Sequence, residues 1–337
     1  MLTFAMMITD RCMGSGIFSV LDVISAANYL HEQNTGEKLL EMKLIGIKEY
    51  AYAYNGQRIG PLLPIEHIDQ PDVLLLSGMV EAVMDANNMR KHLDKYHSIY
   101  PTLKSWHKQG TLMAASCSGN FFLADTGISK DRTITCHWAS EQQAKILFPE
   151  QDINTQEMLF EYKDMISMGG ASAISQLILS LIERFAGRAL ANHCGKIMLI
   201  EPERSLQGAY SVFNPNKRHG DELVLKVQQW LESEYSSSIG AHLAAEKWNM
   251  SERQLSRRFK QGTDETINSY LQKLRLEHVK QGLELTKKQA NSLIWESGYE
   301  DVSSFRRLFK RETGMTMKDY RQRFGLNQTP QLAEKAV

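Results

Sequence analysis

Hydrophobic positions along the first 200 residues fall into short continuous runs separated by longer amphipathic stretches. The runs are LTFAMMI at 2–8, MKLIGI at 42–47, DVLLL at 72–76, TLMAA at 111–115, TITC at 133–136 and MLFEY at 158–162. Apolar runs of four to eight residues bounded by polar segments are the pattern of strands buried on both faces. Helical spacing is found at about 16–31, 88–108, 119–126, 138–147, 171–186 and 188–200. Strands alternating with helices predict an α/β domain, doubly wound around a mostly parallel sheet. Ligands of such sheets sit beyond the carboxyl ends of the strands. Two rims of small residues occupy that position: Ser77-Gly78-Met79 after one strand and Ser116-Cys117-Ser118-Gly119 after another.

The pattern changes after residue 200. From Glu201 to Glu222 periodicity is lost and Pro202, Gly208, Pro215 and Gly220 appear, so 201–221 is expected to be a linker between a domain at 1–200 and a second at 222–325. Beyond it the sequence is helical throughout and repeats itself at an offset of 50 residues. Leu243 aligns with Leu293, Glu246 with Glu296, Arg257 with Arg307, Phe259-Lys260 with Phe309-Lys310, Thr263 with Thr313, Thr266 with Thr316 and Tyr270 with Tyr320. A fixed offset that preserves the same apolar positions means one supersecondary unit used twice. Each unit reads as a short helix (239–247 and 289–296), a tight turn (Trp248-Asn249-Met250 and Gly298-Tyr299-Glu300) and a second helix. The second helices begin at the capping residues Ser251, with Gln254 three positions on, and Asp301. This is a duplicated helix-turn-helix, giving an all-α second domain. The last residues, 326–337, carry no periodicity and are expected to be a mobile tail.

At 100° per residue, Leu255 and Phe259 share one stripe of the first unit's second helix, and Arg253, Arg257 and Lys260 lie about 160°, 200° and 140° away from Leu255. Gln254 and Ser256 flank them. In the second unit Phe305 and Phe309 form the stripe, with Ser303, Arg307 and Lys310 opposite and Ser304 and Arg306 beside them. Arg pairs bidentately with guanine, Gln with adenine, and Lys neutralises phosphate, so both faces suit double-stranded DNA. A lone basic helix face is usually just solvated; two at equal positions of a duplicated unit favour a reading face. Arg258, whose repeat mate is Leu308, lies nearer the buried edge and is expected to pack rather than read bases.

Composition narrows the classes without deciding among them. Lys+Arg and Asp+Glu both number 39 in 337 residues, so net charge points to no partner. It is unevenly placed, however: 219–325 holds 18 Lys+Arg against 15 Asp+Glu, whereas 1–218 holds 20 against 23. No apolar run approaches the roughly 18 residues of a membrane span. The apolar N-terminus lacks the flanks of a signal peptide, and a cytoplasmic protein is expected. The four cysteines show neither disulfide nor zinc spacing. The histidines, among them His31, His92, His97 and His107, are scattered, so no metal and no cofactor is expected.

Cys117 is the residue with the clearest chemical potential in the first domain. LMAASCSGNFFLA reads strand, sharp turn, helix, which is the layout of a nucleophile elbow. A thiol at a helix start is expected to have a lowered pKa. His137-Trp138 follows twenty residues later, at the end of the next apolar run, where a Cys–His pair is sterically possible. A small buried cysteine beside a core-edge histidine is the plain alternative.

Two resemblances gather these observations. LAAEKWNMSERQLSRRFKQGTDETINSYLQKLRLEHVKQGLELT, followed by SLIWESGYEDVSSFRRLFKRETGMTMKDYRQRF, resembles the DNA-binding domain of AraC/XylS-type bacterial regulators. That resemblance implies two helix-turn-helix units joined by a long helix at about 266–285, placing two recognition helices in successive major grooves. Three positions depart from its pattern: Asp264 where the second unit has Gly314, Ile294 where the first has Ala244, and Met317 for the usual proline. SCSGNFFLADTGISKDRTITCHW, SMGGASAISQLILSLIERFAG and PERSLQ resemble the N-terminal domains of GlxA-type regulators, which carry a PfpI-like, class I glutamine-amidotransferase-like fold. The resemblance carries Cys117 to the elbow, His137 to its partner and Gly78 to the facing loop. Enzymatic relatives have a glutamate near the first strand; here that position is about Gly16, and Asp22 on the following helix is a poor substitute. Without a carboxylate, thiolate activation is weakened, and Cys117 and His137 stand as vestigial candidates.

The resemblance therefore implies a sequence-specific transcription regulator, by family tendency an activator, with no enzyme activity. A small metabolite, an amino acid or betaine-like compound, would bind around Gly78, Met79, Cys117, Ser118, His137 and Trp138. Trp138 would pack on a cationic headgroup, a buried structural tryptophan being the plain alternative. Implied partners are double-stranded DNA, the effector, a second copy of the chain in a homodimer, and RNA polymerase for an activator. The alternative is a Cys117-dependent hydrolase, hydratase or redox sensor.

Overall fold

The computed structural model describes residues 1–80, 85–170, 172–201 and 206–326. Residues 202–205, within the expected linker, and 327–337, nearly all of the expected tail, lie outside the described residues. The chain divides into two compact units, Met1–Gly208 and Ala209–Val337.

The first unit is a seven-stranded sheet with helices on both faces. Its strands are β1 (Leu2–Met7), β2 (Leu40–Gly46), β5 (Leu63–Pro64), β6 (Val73–Leu76), β7 (Leu112–Ser116), β8 (Leu159–Glu161) and β9 (Met165–Met168); β3 (Ala51–Tyr52) and β4 (Arg58–Ile59) form a separate ribbon. The order is β5-β2-β1-β6-β7-β9-β8. All neighbours are parallel except β8 and β9. The uninterrupted apolar runs follow from this position: VLLL, LMAAS and MISM are buried at every residue. Alternation then sorts the side chains by face. Phe4, Met6 and Ile8 join the core under α1 (Gly14–Thr35) and α6 (Ile174–Ala186). Ala5 and Met7 join the opposite core with α2 (Ala86–Asp94), α3 (Tyr100–Lys108) and α4 (Asn120–Thr126). The remaining helices of the unit are α5 (Glu141–Leu147) and α7 (Arg188–Ile197).

Several expected elements are placed differently. Residues 133–136 are not a sheet strand; they make one bridge, Ile134 to Ile153. The place beside β7 belongs to β9, and the hydroxyl of its Ser167 accepts from Thr135 N at 2.8 Å and donates to Thr135 O at 3.2 Å. One side chain thus occupies both backbone groups that a ladder would have used. The expected helix at 88–108 is two helices separated by a 3₁₀ turn at His97–Ile99, because Pro101 in the first turn of α3 has no N–H to continue the ladder. Residues 138–147 likewise begin as a 3₁₀ turn, Trp138–Ser140, before α5.

The second unit consists of α8 (Glu222–Glu234), α9 (Ala241–Lys247), α10 (Glu252–Thr263), α11 (Ile267–Leu285), α12 (Ala290–Glu296), α13 (Val302–Thr313) and α14 (Met317–Phe324). Both α10 and α13 are twelve residues long, and their caps stand 50 residues apart at Ser251 and Asp301, then at Asp264 and Gly314. Asp264 takes the left-handed conformation at φ 60° where its counterpart Gly314 has φ 72°, so the substitution keeps the cap. Each helix-turn-helix has its own core. Leu255, Phe259, Ile267 and Tyr270 anchor one; Val279, Leu283, Ile294, Phe305, Phe309 and Tyr320 anchor the other. The two halves of α11 therefore serve different units. Ile294 is fully enclosed, and Met317 is buried at the start of α14.

The stretch 201–221 is not a free linker where it is described. Gln207 is bonded into the α/β unit through its backbone, which donates to Gln156 O, while Ala209 is buried among α11, α13 and α14 residues. Phe213 meets Tyr270 edge-to-face, ring centroids 5.2 Å apart, and its N–H donates to Glu277. Loss of periodicity marked irregular backbone here, but the side chains of that backbone are used for packing on either side of Gly208.

Candidate functional site

On α10 and α13 the apolar stripe faces the core and the basic residues face out, as the 100° spacing requires. Arg253, Gln254, Arg257 and Lys260 are exposed and Ser256 is half-buried; Ser303, Arg306, Arg307 and Lys310 are exposed and Ser304 is half-buried. Among the described residues, the side chains of Arg253, Arg257, Lys260, Arg307 and Lys310 make no ion pair or hydrogen bond within the protein. Five cations without internal partners on two equivalent helices are available to phosphates and guanine edges.

Two expected readers are already engaged. Gln254 closes the capping box, its Oε1 accepting from Ser251 N at 3.3 Å and also from Ser251 Oγ at 2.9 Å, which leaves only its amide N–H groups for DNA. Arg306 donates to Asn291 Oδ1 of α12 at 2.9 Å. Arg258 forks onto Asp221, Nε at 2.6 Å and Nη2 at 3.0 Å, and thereby ties α10 to the residue that caps α8. The Arg258 side chain beside it holds the Asp221 carboxyl below its ordinary range. Beside α13 lies a groove of about 540 Å³ lined by Arg306, Arg307, Lys310, Lys318 and Arg321 over an apolar floor of Leu283, Ala290 and Met317. Lys318 and Arg321 escaped sequence reasoning because they belong to α14, outside the helix whose faces were compared.

The elbow of the α/β unit forms as its sequence pattern predicts. Cys117 follows β7 at φ 57°, opens a 3₁₀ turn, Cys117–Gly119, and α4 follows directly. The turn is wedged against the end of β6: a Cβ on Gly119 would stand 2.1 Å from Leu76 O, and one on Gly78 would stand 2.9 Å from Cys117 Cβ. Ser118 is fully buried; its hydroxyl accepts from Met79 N and donates to Met79 O, both at 2.7 Å. Asn120 donates to Cys117 O and to Met168 O of β9, each at 2.9 Å, while its Oδ1 is buried without a partner.

The chemistry expected at the elbow is not assembled. Cys117 is 7% exposed, and burial pushes its thiol up to about 11 against the weaker opposing hydrogen bonds from Ser118. The short helix start is thus outweighed by desolvation, the reverse of the lowered pKa expected from position. His137 does not pair with the thiol: its Nδ1 accepts from Ala139 N at 3.1 Å and its ring rests on Trp138, centroids 5.4 Å apart. Burial lowers the His137 pKa. Neither position considered for a third member supplies an acid: Gly16 packs towards Ile174, and Asp22 is exposed on α1. Gly78, Met79, Cys117 and Ser118 pack on one another as buried neighbours, and only His137 and Trp138 of the six expected ligand residues are half-exposed.

Sequence reasoning missed Gln207. It is 2% exposed, and its amide reaches Thr135, Cys136, Trp138 and Glu157, between the end of β9 and the irregular segment that carries His137. Its only sequence signal was membership of the PERSLQ segment. Among the described residues no group of three or more His, Cys, Asp or Glu side chains is placed to hold a metal. His97 and His107 instead contact Asp125 and Asp164. No helix among the described residues is long and apolar enough to cross a membrane.

These geometries meet known proteins at two levels. A family described as "Helix-turn-helix domain" matches residues 244–323, spanning both units. The HTH-type transcriptional regulator GbdR of Pseudomonas aeruginosa is 23% identical over 90% of this chain and 82% of its own length. The HTH-type transcriptional activator RhaR of Klebsiella pneumoniae is 30% identical over 46% of this chain and 56% of its own. The crystal structure of a candidate transcriptional regulator protein from Vibrio parahaemolyticus covers 58% of this chain and 98% of its own, with a TM-score of 0.51 and 16% identity. The duplicated helix-turn-helix, its free basic faces and these likenesses define a DNA-binding transcription regulator with an AraC-type domain. In this chain that domain follows an α/β unit built on a mostly parallel sheet.

Proposed function

We propose that the α/β domain is a non-catalytic sensor of a small metabolite, and that its occupancy sets how the AraC-type domain engages DNA. The observation that carries this reading is the elbow: Cys117 sits in the strained turn of a nucleophile, yet its thiol is buried and His137 is turned to Ala139. The turn and its close packing remain, whereas the proton-transfer partners a covalent step needs are not joined to it. The effector is an amino acid or betaine-like compound meeting the rim near Gly78, Met79, Cys117, Ser118, His137 and Trp138, with the half-exposed face of Trp138 offered to a cationic headgroup. An effector acts by binding two arrangements of the regulator unequally. Arg253, Arg257 and Lys260 on α10 and Arg307 and Lys310 on α13 are the readers; Gln254, Ser256, Ser303, Ser304 and Arg306 flank them. The regulator works as a homodimer on repeated half-sites and activates transcription by RNA polymerase; the likeness to RhaR, an activator by name, supports the latter.

The test is thermal denaturation of the full chain against amino acids, betaines and small amines, repeated with Cys117→Ser. Stabilisation of both proteins by the same compound is the expected result. Stabilisation that needs the thiol, or consumption of the compound during the assay, overturns the sensor in favour of a Cys117-dependent hydrolase, hydratase or redox activity.

A further inference from the structure

The connector between the two units is locked by a side chain placed as a bound ligand would be. The two hydrogens of Gln207 Nε2 face three acceptors, Thr135 Oγ1 and Cys136 O at 2.9 Å and, by sharing one hydrogen, Glu157 O at 3.2 Å. Its Oε1 accepts from Trp138 N at 3.2 Å. The carboxamide is therefore met on its donor and acceptor sides by fixed protein groups, three of them backbone. The space is shaped to it: a Cβ on Gly169 would stand 2.0 Å from Nε2, and Gly169 does not need glycine's positive φ. Glycine at 169, just past β9, leaves room for the amide. Two residues after Gln207, Ala209 is already buried in the helical unit.

A buried polar group enclosed this way is stable only while every partner is made. The same donors and acceptors would serve any primary carboxamide of similar width. We propose that Thr135, Cys136, Trp138 and Glu157 form a primary-carboxamide site occupied in cis by Gln207, and that a small carboxamide entering it releases the connector to the DNA-binding domain. The site and its occupant stand on geometry alone; only the regulatory consequence rests on the sensor reading above.

The experiment uses the full chain, with propionamide as the free counterpart of the Gln207 side chain and 2-butanone as a control of like shape without N–H donors. In Gln207→Ala, propionamide is expected to raise the melting temperature and 2-butanone is not. Hydrogen exchange of residues 206–213 is expected to be about tenfold faster in Gln207→Ala than in wild type, the scale of one or two lost hydrogen bonds. Saturating propionamide should accelerate the same segment in wild type. Gly169→Ala, which keeps Gln207 but fills its space, should reproduce the acceleration and serves if Gln207→Ala fails to fold. Equal effects of propionamide and 2-butanone overturn the amide site. Unchanged exchange at 206–213 in a folded variant overturns the latch. Neither readout involves DNA or the elbow thiol, so failure here is distinguishable from failure of the sensor reading.

Discussion

Ser118 Oγ and the backbone of Met79 close on each other completely, the hydroxyl accepting from Met79 N and donating to Met79 O at 2.7 Å each way. The rim after β6 and the elbow after β7 are thereby fastened by one fully buried side chain. Ser118 thus acts first as a clasp for the strand ends that any ligand at this rim would meet.

Ser118→Ala strands both polar groups of Met79 in a dry environment. Urea denaturation should find the α/β unit less stable by about 1–3 kcal/mol, the cost of unsatisfied buried groups. A loss within 0.5 kcal/mol of zero would mean that water replaces the hydroxyl and that the rim is open.

Cys117 should alkylate slowly. With its thiol pushed up to about 11 by burial, the thiolate is scarce at neutral pH. Iodoacetamide labelling followed by mass spectrometry should modify Cys117 at neutral pH at less than about a hundredth of the rate of an ordinary exposed thiol. Rapid labelling at neutral pH would revive the activated-thiol reading.

His92 gives the α/β unit an acid sensitivity. It is 3% exposed, its Nε2 has no partner, and burial lowers its pKa to about 4. Between about 6.5 and 4 the unfolded chain takes up a proton that the folded one refuses, so stability falls as pH drops through this window. The contribution present above pH 6.5 amounts to at most about 3 kcal/mol. His92→Phe should flatten the urea midpoint between pH 7 and 5; an unchanged slope would place the sensitivity elsewhere. Asp125 acts lower: burial alone would raise it, but Arg90, Tyr100 and His97 outweigh burial and hold it below its ordinary value. Its contribution is present above its unfolded pKa and is lost as pH falls through its lower folded one.

Arg257→Ala and Arg307→Ala should each weaken specific DNA binding by about 1–3 kcal/mol and relax preference at one position of the site. Selection of bound sequences from a random library would check both. Arg258→Ala, whose guanidinium is committed to Asp221, should leave base preference unchanged. Altered preference in Arg258→Ala with none in Arg257→Ala would invert the face assignment.

The sequence by itself determined whatever depends on local spacing. The 50-residue repeat set the two recognition helices, because Leu255, Phe259, Phe305 and Phe309 can share a buried stripe in only one rotational setting, and that setting turns Arg257 and Arg307 outward. The strand–turn–helix pattern around Cys117 likewise placed that residue in a sharp turn. Tertiary structure decided what distant groups did to those residues. Position at a helix start predicted a lowered Cys117 pKa; burial by β6, β9 and their loops reversed it, because desolvation depends on surroundings that no local spacing encodes. Residues 133–136 have strand composition, yet the Ser167 hydroxyl holds Thr135's backbone outside the ladder. The loss of periodicity after residue 200 marked irregular backbone, and only the packed chain revealed that Gln207 fixes it through Thr135, Cys136, Trp138 and Glu157. Hydrophobic periodicity reports the face a residue presents, whereas partners distant in sequence, from 32 positions for Ser167 and Thr135 to 72 for Gln207 and Thr135, are fixed only when the sheet closes its core.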